Sequence, residues 1–313
     1  MRLKSQEEIV SDTKLLAIIG ATASGKTALA IKMAQKHESI IFSIDSLAVY
    51  KEMDIVSAKP SLEEQGGIMH FGIDELEVPE HFSAAKVALL YKEALAYAQE
   101  HEKNLIIVGG SSFYLKSLMT GLSELPEFSQ QTKEKARKML ENVQEVYELF
   151  LEVDPYSLGS IEKNDAYRLE KLLLIYLQTN EKPSHYFAQH PAIPVIENIE
   201  IFELLSDRQQ LRERIALRTK LMLKNGLIDE IAYLEKKYGR KSASMKAIGV
   251  VETLQYLDNE IDLETLESLI STHTAQLAKR QTTFNKTQFE DTIQGDAEHL
   301  ASEIDTFLSK KGR

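Results

Sequence analysis

Eight residues limit the architecture of this chain more than any others. Gly20-Ala21-Thr22-Ala23-Ser24-Gly25-Lys26-Thr27 satisfies every defined position of G-x-x-x-x-G-K-[ST], the pattern of a phosphate-cradling loop. A chance match in 313 residues is on the order of one in a hundred or less. Such a loop needs a strand to deliver the chain to it and a helix to begin from it. Its glycines let successive N–H groups converge on one anion, and the helix adds the positive end of its dipole. Both flanks are present: Lys14–Gly20, KLLAIIG, is a short apolar run halted by glycine, and Thr27–Lys36, TALAIKMAQK, has helical spacing. Gly20, Thr22, Ala23, Ser24, Gly25, Lys26 and Thr27 are therefore candidate phosphate contacts. Lys26 supplies a point charge, and the Thr27 hydroxyl suits Mg2+ as a metal ligand.

The pattern continues. Ser39–Ser46 reads as a second strand ending in an acidic residue, Ser83 caps a helix with apolar positions Val87, Leu90, Tyr91, Ala94 and Ala98, and Asn104–Val108 is a third strand before Gly109-Gly110. Apolar strands alternating with helices predict an α/β fold: a parallel sheet covered by helices on both faces. From Ser129 to Gln189 no strand is evident, and Lys133–Leu151 and Asp165–Gln178 read as helices, which predicts an all-helical insertion. The run Ile199–Leu204 resumes the sheet. Asp207–Asn225, Leu227–Tyr238, Met245–Leu257, Leu263–Lys286 and Asp296–Lys310 are helical in period.

A phosphate cradle does not name a reaction. Leu105–Val108 runs into Gly109-Gly110-Ser111-Ser112 with no acidic residue for an ATPase metal, and no arginine-rich lid is evident. Ligands of open α/β sheets bind outside the carboxyl ends of strands, so Lys26, Asp45 and Ser111 are expected in one crevice. Asp45 is placed there as a general base, or as a cap on Ser46 and the next turn. In the helix after Ser206, where Ser206 and Gln209 have capping-box spacing, Leu211, Ile215, Leu221 and Met222 share one arc with Arg214 and Arg218. Guanidinium groups on a buried face are costly unless they meet an anion. A phosphate-bearing ligand answers that cost; so do buried acids, or stems that snorkel to solvent.

Charge sets the expected partners. With 48 acidic and 37 basic residues the net charge is −11, which argues against indiscriminate coating of nucleic acid but leaves room for a local basic surface, such as the six basic and two acidic residues between Ser206 and Asn225. The chain has no cysteine, excluding disulfides and thiolate chemistry. No apolar run reaches the roughly 18 residues of a membrane helix, and the start, MRLKSQEEIVSDTK, lacks a secretory stretch, so a cytoplasmic protein with no membrane partner is expected.

Several stretches together resemble the bacterial tRNA dimethylallyltransferases, also called tRNA isopentenyltransferases, over about residues 13–290. They are GATASGKT (Gly20–Thr27), SIDSLAVYKEMDIVSAKPS (Ser43–Ser61), HFGID and FSA (His70–Asp74, Phe82–Ala84), IIVGGSSFYLKSLMTGL (Ile106–Leu122), NDAYRLEKLL (Asn164–Leu173), LRERIALRTKLMLKNGLIDE (Leu211–Glu230) and LAKRQTTFNKTQF (Leu277–Phe289). The resemblance implies transfer of the dimethylallyl group of dimethylallyl diphosphate to the exocyclic amine of the adenosine immediately 3′ of certain tRNA anticodons, with loss of diphosphate, with Mg2+ and without consumption of ATP. It implies a P-loop kinase-like parallel sheet in a monomeric catalytic core of residues 1–120 and 196–313, and an inserted all-helical domain of residues 121–195 that grips the anticodon stem.

Residue by residue, the resemblance implies that the phosphate loop holds the substrate diphosphate, with Ala21 where proline is usual. Asp45 takes the amine proton and lies in a tRNA-contacting segment of Asp45, Ser46, Leu47 and Ala48. Ser111 replaces a threonine near the diphosphate, and Arg218, with Arg214 beside it, binds that group. The insertion's RNA motif becomes Tyr167, Arg168, Leu169, Glu170 and Lys171, in which Glu170 weakens the basic patch. Val250-Val251 stands where a Tyr-Arg pair is usual, leaving Lys246 as the nearby cation, and Phe284 replaces a tryptophan on a helix kept basic by Lys279, Arg280 and Lys286. Tyr50 or Phe113 is a candidate to stack on a flipped adenine, or belongs to the core. Alternatives from other classes are a small-molecule kinase and a nucleotide-switched binding protein, which share the loop.

Overall fold

Six short strands carry the architecture in the computed structural model, which describes residues 13–310. The chain start considered above for a secretory segment lies mostly outside the described residues. In chain order come β1 (Leu15–Gly20), α1 (Lys26–Lys36), β2 (Ser39–Ser43), α2 (Asp54–Ser57), β3 (His70–Phe71), α3 (Ala84–Glu100), β4 (Asn104–Gly109) and α4 (Ser112–Thr120). Five helices follow: α5 (Gln130–Met139), α6 (Val143–Val153), α7 (Pro155–Leu158), α8 (Ala166–Thr179) and α9 (Pro183–Gln189). The remainder is β5 (Glu200–Leu204), α10 (Arg208–Lys224), α11 (Leu227–Tyr238), α12 (Val250–Leu257), α13 (Leu263–Gln288), β6 (Ile293–Gly295) and α14 (Ala297–Ser309).

The strands form one sheet in the order β3-β2-β4-β1-β5-β6, every neighbouring pair parallel. Period-two alternation divides the buried strand residues between two faces. Leu16, Ile18, Ile41, Ile106 and Phe202 pack with Leu29 and Met33 of α1 and with Leu300, Ile304 and Leu308 of α14. On the other face Phe42 meets Tyr91 of α3, with ring centroids 6.1 Å apart. Near-complete burial of β1, β2 and β4 explains their continuously apolar sequences.

Several boundaries differ from the sequence expectation for identifiable reasons. The stretch expected as one helix over Lys133–Leu151 is α5 and α6 separated by a 3-10 turn at Leu140–Asn142. The expected Met245–Leu257 helix is a 3-10 turn at Ser244–Lys246 and then α12, because Gly249 takes a left-handed φ of +91°. The cap of α10 is Asp207, whose Oδ1 accepts from the amides of Gln209 and Gln210, and not Ser206. β3 and β6 have two and three residues, too short to show a period, and exist by pairing at the sheet edges.

The chain divides into two compact units, one of residues up to Met119 and from Glu197 onward, the other Thr120–Ile196. The second is helical, cored by Ala136, Val146, Phe150, Leu158, Leu169 and Leu172–Leu174. Its two ends meet at an antiparallel bridge between Leu122 and Ile193, where a side chain at Gly121 would collide with the Ile193 backbone at 2.3 Å. No helix among the described residues is long and apolar enough to cross a membrane.

Candidate active site

The loop after β1 is shaped by close packing. A Cβ on Gly20 would lie 2.8 Å from the Leu204 carbonyl oxygen of β5, so no side chain is accommodated there. Ala23 and Gly25 have φ of +62° and +99°, and Gly25 starts α1 in the left-handed conformation. Lys26 follows, 7% exposed, its Nζ donating to the Ala21 carbonyl at 3.0 Å. Burial pulls its pKa down to about 8; the neighbouring Arg218 adds to that and Asp45 opposes it. The Ser24 hydroxyl is buried with no hydrogen-bond partner among the described residues, as is that of Ser112 at the start of α4.

Three cavities adjoin the loop, and two of them share Asp45 and Arg218. The larger of these two, about 790 Å3, is lined by Thr22, Lys26, Thr27, Asp45, Arg214 and Arg218, among others. The smaller, about 320 Å3, is lined by Asp45, Ser46, Leu47, Ser111, Arg218, Lys246 and Gln281. Thr22, Asp45, Ser57 and Arg218 border both. Asp45, Ser111 and Arg218, picked out separately in the sequence, therefore share one space.

Asp45 lies just past the end of β2. Its Oδ1 accepts from the amides of Leu47 at 2.9 Å and Ala48 at 3.1 Å, so the capping role is real. Those bonds use one oxygen and fix the carboxyl plane, leaving Oδ2 for a proton from the cavity. Arg214 Nη1 donates to the Ser24 carbonyl at 3.1 Å, and Arg218 Nη2 to those of Ser57 and Ala58 at 3.3 and 3.4 Å. Both guanidinium groups meet carbonyls and keep further donors free for an anion. Burial lowers the pKa of Arg218, with Asp45 opposing. Leu221, expected on the buried arc, is 47% exposed, and Ile215 and Thr219 are the residues of α10 that are buried.

Gly109 and Gly110 leave room for what crosses them. A Cβ on Gly109 would lie 2.6 Å from Ile44, and one on Gly110 would lie 2.5 Å from Nε2 of Gln281 and 3.4 Å from Nζ of Lys26. Gln281 itself accepts from the Thr22 amide at 2.8 Å. It was missed in the sequence, although it sits beside Arg280 in the quoted LAKRQ stretch.

The residues expected to meet RNA divide by position. Ser46, Leu47 and Lys246 border the smaller cavity and Ala48 the larger. Lys279 and Arg280 are exposed on α13. On the helical unit Tyr167 is 66% exposed, Arg168 pairs with Asp165 at 3.3 Å, and Lys171 stands 5.1 Å over the Tyr167 ring. Glu170 is partly buried beside them. Leu169 corrects the expectation: it is fully buried in the unit's core, because α8 turns it inward with Leu172 and Leu173. Tyr50 takes the second of the two roles left open for it, in the core: it is 3% exposed, its hydroxyl donating to the Glu80 carbonyl, so it does not stack on a base. Phe113 is 56% exposed.

With this geometry, the IPP transferase family matches residues 48–288. The chain belongs to that family. It is 54% identical to the tRNA dimethylallyltransferase of Sulfurimonas denitrificans over 278 residues, 89% of this chain and 93% of that one. It is 50% identical to the tRNA dimethylallyltransferase of Aliarcobacter butzleri, over 95% of this chain and 99% of the relative. Among solved structures it is similar to the tRNA isopentenylpyrophosphate transferase of Bacillus halodurans (TM-score 0.70, 27% identity, 95% of this chain and 96% of that one). It is also similar to a eukaryotic dimethylallyltransferase acting on tRNA (TM-score 0.79, 27% identity, 94% and 76%). IPP transferases of this kind are prenyltransferases, and their kinase-like sheet is the one described above. Membership sets aside the kinase and switch alternatives.

Proposed function

We propose that the protein transfers the dimethylallyl group of dimethylallyl diphosphate to N6 of the adenosine 3′-adjacent to the anticodon in tRNA. The observation that carries this reading is the shared border of the two cavities, where Asp45 and Arg218 face both a phosphate-binding loop and a second space bounded by Ser111 and Lys246.

The loop amides, Lys26, Arg214 and Arg218 hold the diphosphate in the larger cavity. The adenine amine, flipped out of its stack into the smaller one, attacks the allylic carbon; the new carbon–nitrogen bond forms as the carbon–oxygen bond breaks and its electrons leave with diphosphate. Arg218 and Ser111 donate to the oxygens on which charge builds, each well-aimed donor being worth about 2.7–4 kcal/mol of barrier. Asp45 Oδ2 accepts the amine proton. No group of three or more His, Asp or Glu suited to a metal occurs among the described residues. That donor set fits Mg2+ held by the Thr27 hydroxyl and the substrate's own oxygens, since this ion takes few protein ligands beside phosphates and water. When bound, Mg2+ supplies charge neutralisation at the diphosphate.

In the same reading tRNA is gripped by Tyr167, Arg168 and Lys171 of the helical domain, residues 121–195, and by Lys246, Lys279 and Arg280 of the core. The enzyme acts as a monomer in the cytoplasm. The test pairs labelled dimethylallyl diphosphate and total tRNA with a parallel reaction of labelled ATP without tRNA. Label entering tRNA, dependent on Mg2+ and without ATP hydrolysis, is the expected result; ATP consumption with unlabelled tRNA overturns the reading.

A further inference from the structure

The segment Met53–Pro60 forms part of the wall of both cavities: Ser57 borders each, Val56 the smaller, and Ala58, Lys59 and Pro60 the larger. Its only regular structure is α2, four residues that cannot repay the cost of starting a helix. Something outside must hold it. The amides of Asp54, Ile55 and Val56 all donate to one carboxylate, Glu230 of α11, at 2.9, 2.7 and 2.9 Å. At the other end of the same turn, the carbonyls of Ser57 and Ala58 receive the Arg218 guanidinium. Ala58, with a left-handed φ of +47°, turns the chain at that point. A single turn of helix thus links a carboxylate to the arginine assigned to diphosphate.

No cation pairs with Glu230 among the described residues, so peptide dipoles alone balance its charge. Burial of this half-buried carboxyl, and less strongly the nearby Asp54, push its pKa up against the opposing pull of the three amides. It borders neither cavity and touches no reacting atom.

We propose that Glu230 is a positioning residue for Arg218: by clamping the start of α2 it fixes the Ser57 and Ala58 carbonyls that aim the guanidinium into the cavities. The proposal rests on the prenyl-transfer reading for what the guanidinium meets. Glu230 acts only through Arg218, so its loss costs nothing once Arg218 can no longer bind.

The experiment uses the full chain and four forms: wild type, Glu230→Gln, Arg218→Met and the double variant. Glu230→Gln keeps the side-chain shape while replacing one strong acceptor oxygen by a donor. Calorimetry measures affinity for inorganic pyrophosphate, and steady-state assays give kcat and both KM values, with Tm as the check on folding. Glu230→Gln is expected to weaken pyrophosphate binding and kcat/KM for the diphosphate substrate by about tenfold, with KM for tRNA unchanged. Arg218→Met costs more, and the double variant equals Arg218→Met. Additive losses, or a Glu230→Gln enzyme that matches wild type, overturn the positioning role while leaving prenyl transfer standing. A wild type that neither binds pyrophosphate nor prenylates tRNA overturns both. Should Arg218→Met fail to fold, Arg218→Lys, which keeps the charge but not the fork, replaces it in the same cycle.

Discussion

The backbone amide of Thr22 donates to Oε1 of Gln281 at 2.8 Å, so α13 reaches into the phosphate loop itself. The same side chain's Nε2 occupies the space that a Cβ on Gly110 would take. Gln281→Glu keeps the acceptor for Thr22 but places a negative charge where the substrate's own charge belongs. KM for dimethylallyl diphosphate is expected to rise at least about tenfold in steady-state assays, with KM for tRNA little changed.

Asp45→Asn retains an acceptor for the Leu47 and Ala48 amides and removes only the basicity of the free oxygen. It is expected to leave Tm and tRNA affinity at wild-type values while lowering kcat by about 10²–10⁴-fold. A kcat within threefold of wild type removes Asp45 from the role of base.

Two glycines separate packing from chemistry. Gly20→Ala drives a Cβ against the Leu204 backbone oxygen, which cannot yield, and is expected to cost about 1–3 kcal/mol of stability in denaturant unfolding. Gly110→Ala meets the flexible end of Gln281 and is expected to spare Tm while cutting kcat/KM about tenfold.

Lys26 gives opposite pH trends with and without ligand. Its free-state pKa of about 8 lies below the unfolded 10.5, so the unfolded chain binds more protons between those values. This group therefore makes the free protein more stable as pH rises from 8 toward 10.5. A bound diphosphate favours the charged amine. Affinity for pyrophosphate should be flat below pH 8 on account of this group, and fall by up to about tenfold per unit above it, as calorimetry across that range measures.

On the helical unit, Leu169→Ala is expected to cost about 2–5 kcal/mol of that unit's stability, since it empties a buried site. Arg168→Ala and Lys171→Ala, both at exposed or partly exposed positions, should instead leave unfolding unchanged and raise KM for tRNA, with a shallower salt dependence.

What could be read in the sequence follows a physical divide. β1, β2 and β4 announce themselves because strands buried on both faces must be apolar throughout, and glycine marks where β1 and β4 stop. Arg218 reaches the Ser57 and Ala58 carbonyls from the arc it shares with Ile215, because helix period fixes azimuth; Arg214, expected on the same buried arc, is exposed, although its Nη1 reaches the Ser24 carbonyl. The inward turn of Leu169 was available from the same period, since it is spaced three and four residues from Leu172 and Leu173; reading Tyr167–Lys171 as a block obscured it. Glu230 and Gln281 were out of reach. Each recognises backbone amides distant in sequence, and a peptide N–H has the same signature at almost every position.

The bridge of Leu122 to Ile193 means that some seventy residues depart from and return to a single point on the chain. A segment stitched in at one seam adds little closure entropy whatever its length. It is thus a natural cassette: under the proposed reading, its grip on different RNAs can diverge, or be exchanged by splicing at that seam, without re-registering the strands of the sheet.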